Sequence, residues 1–138
     1  MRRLLWLTFL FAPLRALSAD WVQIVSDMDS TFYFDRASLR READIVDVVL
    51  LWDFPTVQLT RRPVKPYMSA TRLTRFDCKA GGRANVETTL YRENMASGEV
   101  TEVYRTPDSV LRFEWVNPEA PGGISLRKVC EAAKDGER

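Results

Sequence analysis

The sequence predicts an α+β fold, in which an antiparallel β-sheet of about six or seven strands carries a C-terminal α-helix that is packed on it and pinned by one disulfide. Three observations lead to this prediction. Short alternating apolar segments are separated by glycine, proline and polar turns, which is typical of antiparallel strands. The last part of the chain has a helical repeat instead. The 138-residue chain has two cysteines, Cys78 and Cys130, one in each kind of element.

Residues 45–54 form the clearest predicted strand, because their apolar side chains alternate. One face of this strand carries Val46, Val48, Leu50, Trp52 and Phe54. Since Val49 and Leu51 make the second face partly apolar as well, we expect the strand near the centre of the sheet. Pro55 is expected to end it, which leaves residues 56–66 as a long polar loop with the most exposed basic patch.

The other predicted strands lie on both sides of this one in the sequence. They cover residues 20–25, 31–35, 68–79, 84–95, 100–105 and 110–116. Gly81 and Gly82 are expected to form a tight turn between two of them, and Ser97 and Gly98 another. Residues 36–44 are a charged connection with room for one short helical turn. One-sided alternation in several of these strands favours an antiparallel sheet.

The large aromatic residues divide between core and surface in this scheme. Trp21, Trp52 and Trp115 lie on apolar faces of predicted strands, so we expect them in the core. The tyrosines expected at the surface are Tyr33, Tyr91 and Tyr104.

An apolar stripe at helical spacing ends the chain. Its members fall at i, i+3, i+4 and i+7: Leu126, Val129, Cys130 and Ala133. Ser125 is the expected N-terminal cap. The stripe places Cys130 on the face that packs against the sheet, while Cys78 ends a predicted strand, so the two thiols are expected to meet.

A structural disulfide between Cys78 and Cys130 is the simplest fate for the only two cysteines of an exported domain. The alternative is a redox-active pair. That chemistry favours a Cys-X-X-Cys arrangement, which lowers the pKa of one thiol, whereas 51 residues separate these cysteines.

Residues 1–19 have the features of a cleavable secretory signal peptide. Arg2 and Arg3 form a basic start, and a short apolar run follows that is interrupted too early to span a bilayer. Small residues then offer cleavage after Ser18 or after Ala19. Because no cysteine follows the apolar run to accept a lipid, we expect a periplasmic or secreted protein with no membrane insertion after cleavage.

The remaining chain is the size of one domain, which we place at residues 20–134 with a flexible tail at 135–138. Without the first 19 residues it has 17 basic and 19 acidic side chains, a net charge of −2 with both signs interspersed. Nucleic-acid binding would favour a concentrated excess of positive charge, so no nucleic-acid partner is expected.

The sequence contains no histidine, which removes the usual base for nucleophilic catalysis and the commonest metal ligand. With both cysteines in a disulfide, we expect no metal site and no cofactor. Gly81 and Gly82 lie between two predicted strands rather than before a helix, so they predict a hairpin and not a phosphate-binding loop.

A pair of carboxylates is the one catalytic arrangement left open. Glycoside hydrolysis needs two acids in a groove, and the candidates are Asp35, Asp53, Asp77, Glu87 and Glu114. Since the chain has 19 acidic residues, chance alone brings some pairs together. An enzyme is therefore the alternative hypothesis, and no catalytic residue is assigned.

An ordered set of residues across the chain resembles the surface-adhesin protein E family of Gram-negative bacteria. The set comprises Trp21, Tyr33-Phe34-Asp35, Ser38, Trp52-Asp53-Phe54, Tyr67, Ser69, Phe76-Asp77-Cys78, Met95, Gly98 and a proline-glycine loop before the helix with Cys130. The resemblance implies an antiparallel sheet covered by a C-terminal helix that the Cys78–Cys130 bridge holds in place. It also implies an adhesin-like function.

The resulting hypothesis is a non-enzymatic binding module of the bacterial periplasm or envelope, with an unknown protein or envelope ligand. Arg61, Arg62 and Tyr67 are the candidate binding surface, because arginine and tyrosine are favoured at interfaces. An open sheet edge also favours pairing with a second copy, so a homodimer is a further expectation. The alternatives are a carboxylate-only hydrolase acting on envelope glycans and a structural envelope component.

Overall fold

The computed structural model of the chain describes residues 18–136, which form one antiparallel sheet and one helix. The strands are β1 (Trp21–Ser26), β2 (Thr31–Asp35), β3 (Arg40–Glu42), β4 (Ile45–Leu59), β5 (Pro66–Asp77), β6 (Gly82–Glu93), β7 (Ser97–Arg105) and β8 (Glu114–Trp115). The helix α1 spans Pro121–Asp135. The α+β prediction is confirmed.

Six strands form the continuous sheet in the order β1-β2-β4-β5-β6-β7, and every neighbouring pair is antiparallel. The other two are short: β3 pairs with β4, and β8 pairs with β6. They raise the count from the expected six or seven strands to eight. The predicted charged connection contains a 3₁₀ turn at Arg36–Ser38 and then β3.

The core lies between α1 and one face of the sheet. Val46 and Val48 of β4 are fully buried, and Phe76 of β5 pairs with Val46 across the ladder on the same face. From the helix, Val129 and Ala133 pack into this cluster, as the apolar stripe predicted. Burial of these side chains is the main driving force that holds the helix on the sheet.

A disulfide joins Cys78 to Cys130 across this core, with the two Cα atoms 5.9 Å apart. Cys78 follows β5 directly, and its backbone N–H donates to the Asp44 carbonyl oxygen at 2.8 Å. The bridge thus connects the end of a central strand to the middle of α1, and both cysteines contact the core cluster. This part of the predicted fold is confirmed.

Pro55 does not end the long strand, contrary to expectation. β4 continues to Leu59, and the loop that follows is shorter than predicted. The β4–β5 register runs to Asp53 and resumes at Gln58, so residues 54–57 have no partner in it. Pro55 therefore occupies a position where the ladder needs no N–H donor.

The strand predicted at residues 110–116 is reduced to the two residues of β8. A 3₁₀ turn occupies Asp108–Val110, and only Glu114 and Trp115 pair with β6. The alternating side chains therefore have no sheet face to cover, and Trp115, which was expected in the core, is 72% exposed. Trp21 and Trp52 are half-buried.

Helix α1 begins five residues earlier than the capping prediction, since its N-terminal cap is Ala120 and not Ser125. Pro121 is its first residue, where a missing N–H costs nothing, and Ala120 precedes it without a side-chain cap. Ser125 is instead buried inside the helix, and its hydroxyl donates to the Pro121 carbonyl oxygen at 2.7 Å. Gly123 lets the first turn approach the backbone at Asn117.

The turn predictions have mixed outcomes. The chain turns at residues 78–81 and Gly81 has a φ of 75° there, as predicted, but Gly82 already belongs to β6. The next turn is at residues 94–96, before the predicted Ser97 and Gly98, and Met95 and Ala96 adopt positive φ there.

The signal peptide predicted at residues 1–19 falls almost wholly outside the described residues. No helix in residues 18–136 has the length and apolar composition to cross a membrane.

Candidate functional site

Residues 60–65, the basic loop, connect β4 to β5 and are closed by one threonine. The Thr60 hydroxyl donates to the Pro63 carbonyl oxygen at 2.6 Å and accepts from the Lys65 N–H at 2.8 Å. The Thr60 N–H donates to the Lys65 carbonyl oxygen at 2.9 Å. These three bonds fix the path of the loop before any partner binds.

Two contacts, one at the last residue of the loop and one at the first residue of β5, connect this region to β7. The Lys65 ammonium lies 3.1 Å from Glu102 Oε2, and the Thr101 hydroxyl donates to the Pro66 carbonyl oxygen at 3.1 Å. Because both anchors belong to a strand of the sheet, the basic loop is held by the scaffold. Such pre-organisation lowers the entropy cost of binding.

Arg61 and Arg62 are exposed at the tip of this loop. Within residues 18–136, neither guanidinium has a hydrogen-bond or ion-pair partner. Residues 54–68 contain three cations and no acid. Val64 and Leu59 are 67% and 61% exposed beside the arginines, so the loop presents unpaired positive charge together with apolar surface.

Tyr67, the third candidate, lies on β5 behind the loop. It is half-buried, and its ring packs edge-on against Phe54, with the ring centroids 5.9 Å apart. The structure thus brings Arg61 and Arg62 together at the tip and gives Tyr67 a packing role next to them. That these three residues form a binding surface stays a prediction.

The candidate catalytic carboxylates mostly have structural partners. Asp35 accepts from two backbone N–H groups, at Asp20 and Ala37, and Glu87 accepts from Arg105 at 2.7 Å. These two acids line one groove on the face of the sheet opposite α1. Since both carboxylates already bond to neighbours there, the groove does not present a free acid-base pair.

The other three acids differ in their surroundings. Asp53 accepts from the backbone N–H of Met95 at 2.8 Å and from Asn94. Asp77 accepts from the N–H groups of the turn that follows β5. Glu114 is exposed in β8. Two of these carboxylates therefore stabilise turns.

The face opposite α1 also carries an ion pair with two hydrogen bonds. Arg75 and Asp47 face each other in the β4–β5 register and make two hydrogen bonds, of 2.8 and 3.0 Å. Hydrogen bonding to Asp47 and the charge of that carboxylate raise the pKa of Arg75. The arginine is thereby committed to its partner, unlike Arg61 and Arg62.

Sequence reasoning missed a second pair of arginines, on the helix side of the sheet. Arg72 and Arg83 both line a cavity of about 270 Å³ between the start of α1 and the strands. Burial, and secondarily the charge of Arg83, lowers the pKa of Arg72 to about 10. The available signal was the even spacing of Arg72, Thr74 and Phe76, which places a cation on a core-facing strand position.

Comparison with known proteins gives one family and one fold. The family model described as surface-adhesin protein E matches residues 21–131. Crystal form II of Haemophilus influenzae protein E superposes with a TM-score of 0.65 at 14% identity, over 89% of this chain and 96% of that one. A structure of protein E from non-typeable H. influenzae gives 0.58 at 16% identity, over 91% and 84%. No curated protein matches the chain in sequence.

Proposed function

Because the chain belongs to the surface-adhesin protein E family, we propose that it is an exported, non-enzymatic binding module of the bacterial periplasm or cell envelope. The family description supports an adhesin-like surface protein, and the signal-peptide features of residues 1–19 support export. The occupied carboxylates of Asp35 and Glu87 favour binding over acid-base catalysis.

The observation that carries this proposal is the pair of unpartnered guanidiniums at the tip of the basic loop. Two arginines of the sheet, by contrast, are in ion pairs: Arg75 with Asp47 and Arg105 with Glu87. Arg61 and Arg62 have no such partner within the described residues, although the loop beneath them is rigidly bonded. A fixed loop with free positive charge is suited to an external anionic surface.

The partner that fits this surface is a protein with an acidic patch beside an apolar one. Its carboxylates would pair with Arg61 and Arg62, and its apolar groups would cover Val64 and Leu59. Arginine forms bidentate bonds with carboxylates, which gives such contacts geometric specificity. Because these charges are exposed, binding should weaken as salt increases.

A capture experiment with matched variants tests this function. The oxidised protein and its Arg61→Ala/Arg62→Ala variant are immobilised and exposed to envelope extract and to host matrix proteins. The control, Arg112→Ala/Arg127→Ala, removes two other exposed positive charges. We expect wild type and control to retain the same proteins and the loop variant to lose them. Equal retention by all three, or none by wild type, would contradict the proposal.

Tyr67 requires a separate variant, because its ring supports Phe54. Tyr67→Phe keeps the packing and removes only the hydroxyl. If the hydroxyl contacts the partner, this variant should retain less of the captured protein while its thermal stability stays unchanged.

A second copy of the chain is a further partner that the sheet favours. β7 is an edge strand, and its exposed side chains include Val100, Val103 and Tyr104. Unpaired edges of this kind promote strand pairing between chains. Sedimentation velocity should show a dimer that Val103→Lys, which puts a charge on the exposed edge strand, converts to a monomer. A wild-type monomer at high concentration would exclude this pairing.

A further inference from the structure

The cavity under the start of α1 has features of a ligand site that is independent of the basic loop. Its lining includes the apolar side chains of Phe32, Leu50 and Trp52, the two arginines Arg72 and Arg83, and Gly122 in the first turn of α1. A cavity of 150 Å³ holds one benzene ring, so about 270 Å³ accommodates a small organic molecule. The walls are mainly apolar, with a few polar groups among them, which is the usual composition of a small-molecule pocket.

Positive charge converges on this cavity without compensation. Arg72 and Arg83 line it, and among the described residues of the lining none is acidic. Arg72 lies over the Trp52 indole, with its Cζ 4.0 Å from the ring centroid, and its Nε donates to the Thr88 hydroxyl at 3.2 Å. Neither contact neutralises the guanidinium.

The first turn of α1 adds to the positive potential. A Cβ placed on Gly122 would lie 2.6 Å from Arg83 Nη1, so that guanidinium sits directly against the helix N-terminus. A helix N-terminus carries partial positive charge and favours anions, not cations. Ala120 provides no capping oxygen, and the first turn has no acidic residue. An anion bound at this position would offset the repulsion between the Arg83 guanidinium and the helix terminus.

Two buried donors next to the arginines also lack acceptors. Trp52 Nε1 and Arg83 Nε are both inaccessible to solvent and have no hydrogen-bond partner within residues 18–136. Native proteins satisfy most buried polar groups, because an unmade bond costs the full desolvation of the donor. Both unsatisfied atoms belong to residues that line the same cavity, and both are donors. Because both atoms are closed to a molecule the size of water, an acceptor in the cavity reaches them only when the side chains around it shift as it binds.

We propose that this cavity binds a small organic anion, whose oxyanion group is held by Arg72 and Arg83 and whose apolar body packs against Phe32, Leu50 and Trp52. The oxyanion accepts from the donors that the protein leaves unpaired, and it offsets the charge of the two guanidiniums and the helix terminus. The short apolar walls limit the apolar part of the ligand to a few carbons or one ring. A carboxylate and a phosphate monoester share the head-group chemistry that the arginines recognise.

Isothermal titration of the oxidised protein tests the proposal with hexanoate, benzoate and propyl phosphate as probes. Hexanol and benzyl alcohol are the uncharged controls for hexanoate and benzoate, because they keep the apolar part of each probe without its negative charge. We expect at least one anion to bind about tenfold more tightly than the alcohols, since a charge-assisted bond to arginine is lost with the alcohol. Inorganic phosphate, which lacks the body, should bind more weakly than the preferred organic anion. Equal binding of the organic anions and the alcohols, or stronger binding of inorganic phosphate, would overturn the proposal.

The variants locate the ligand in the cavity. Arg83→Gln should weaken anion binding about tenfold, whereas Arg127→Gln, on the exposed side of α1, should leave it unchanged. Gly122→Ala is a second test that keeps both arginines and displaces the Arg83 guanidinium. If anion affinity is the same in Arg83→Gln, Gly122→Ala and wild type, the proposed site is wrong.

A spectroscopic signal reports on the unpaired indole directly. The Trp52 Nε1–H resonance, assigned with a Trp52→Phe variant, should move downfield as an anion oxygen accepts its hydrogen bond. The Trp115 indole, which is exposed, should not move. An unmoved Trp52 resonance at 10 mM of every anion probe would contradict the proposal.

Discussion

Asp53 on β4 and Ser69 on β5 lie opposite each other in the sheet and together hold the turn between β6 and β7. Asp53 accepts from the Met95 N–H at 2.8 Å. The Ser69 hydroxyl donates to the Glu93 carbonyl oxygen at 2.6 Å and accepts from the Ala96 N–H at 3.0 Å. Met95 and Ala96 both adopt a φ of 56°, which is unfavourable for residues with a Cβ. The two side chains therefore stabilise a turn that lacks glycine at its centre.

Removal of these bonds should lower the stability of the protein. Ser69→Ala removes two hydrogen bonds, to the Glu93 carbonyl oxygen and from the Ala96 N–H, so we expect the free energy of unfolding to fall by about 1–3 kcal/mol. Asp53→Ala should also lower the free energy of unfolding. Urea unfolding measures both, with the exposed Ser97→Ala as control. A loss in Ser69→Ala no larger than in the control would show that the turn does not depend on these bonds.

The disulfide should contribute strongly to stability, because it closes a long loop. Cys78 and Cys130 are 52 positions apart, and chain-entropy reasoning gives about 4 kcal/mol at most for such a loop. We expect Cys78→Ala/Cys130→Ala to fold with a lower urea midpoint. A midpoint equal to that of the oxidised wild type would show that core packing alone fixes α1.

Export should leave a chemical record in the mature chain. Intact-mass spectrometry of the periplasmic or secreted fraction, without reductant, is expected to show a chain that starts at Ala19 or Asp20. Its mass should be lower by two hydrogens than that of the reduced form. A chain that retains residues 1–19, or one with free thiols, would contradict the export and disulfide predictions.

Gly123 should not tolerate a side chain. A Cβ at this position would collide with the Asn117 carbonyl oxygen and with the Pro118 backbone, neither of which is a flexible group. We expect Gly123→Ala to reduce the free energy of unfolding by about 1–3 kcal/mol, the usual cost of overpacking. Gly136→Ala is the matched control, because its nearest neighbours are 3.9 Å away. Equal thermal midpoints for the two variants would refute this explanation.

The parts of the fold that local patterns determine were predictable. The alternation in β4 and the apolar stripe of α1 correctly predicted which face of each element packs in the core, because strand and helix periods follow from backbone geometry. They also placed Cys78 and Cys130 together. The family resemblance has a physical basis in one case, since Asp53, Ser69 and Met95 belong to the same turn contact.

The errors came from features that depend on tertiary structure. Pro55 fits inside β4 only because the ladder with β5 is interrupted there, and no local signal marks that interruption. Trp115 has a strand-like sequence around it but only two residues pair with β6. The cavity with Arg72 and Arg83 depends on where α1 begins, and the apolar stripe predicted the helix cap at Ser125 instead of Ala120.

Site-specific photo-crosslinking shows whether the basic loop contacts a partner while Arg61 and Arg62 both stay in place. A photoreactive amino acid replaces Val64, which is 67% exposed beside the arginines, in one variant and the exposed Arg127 in another. Each variant is irradiated in the presence of envelope extract and host matrix proteins, and adducts are identified by mass spectrometry. We predict a discrete adduct from position 64 that increasing salt suppresses, and none from position 127. The same adducts from both positions, or none from position 64, would contradict the proposed binding surface.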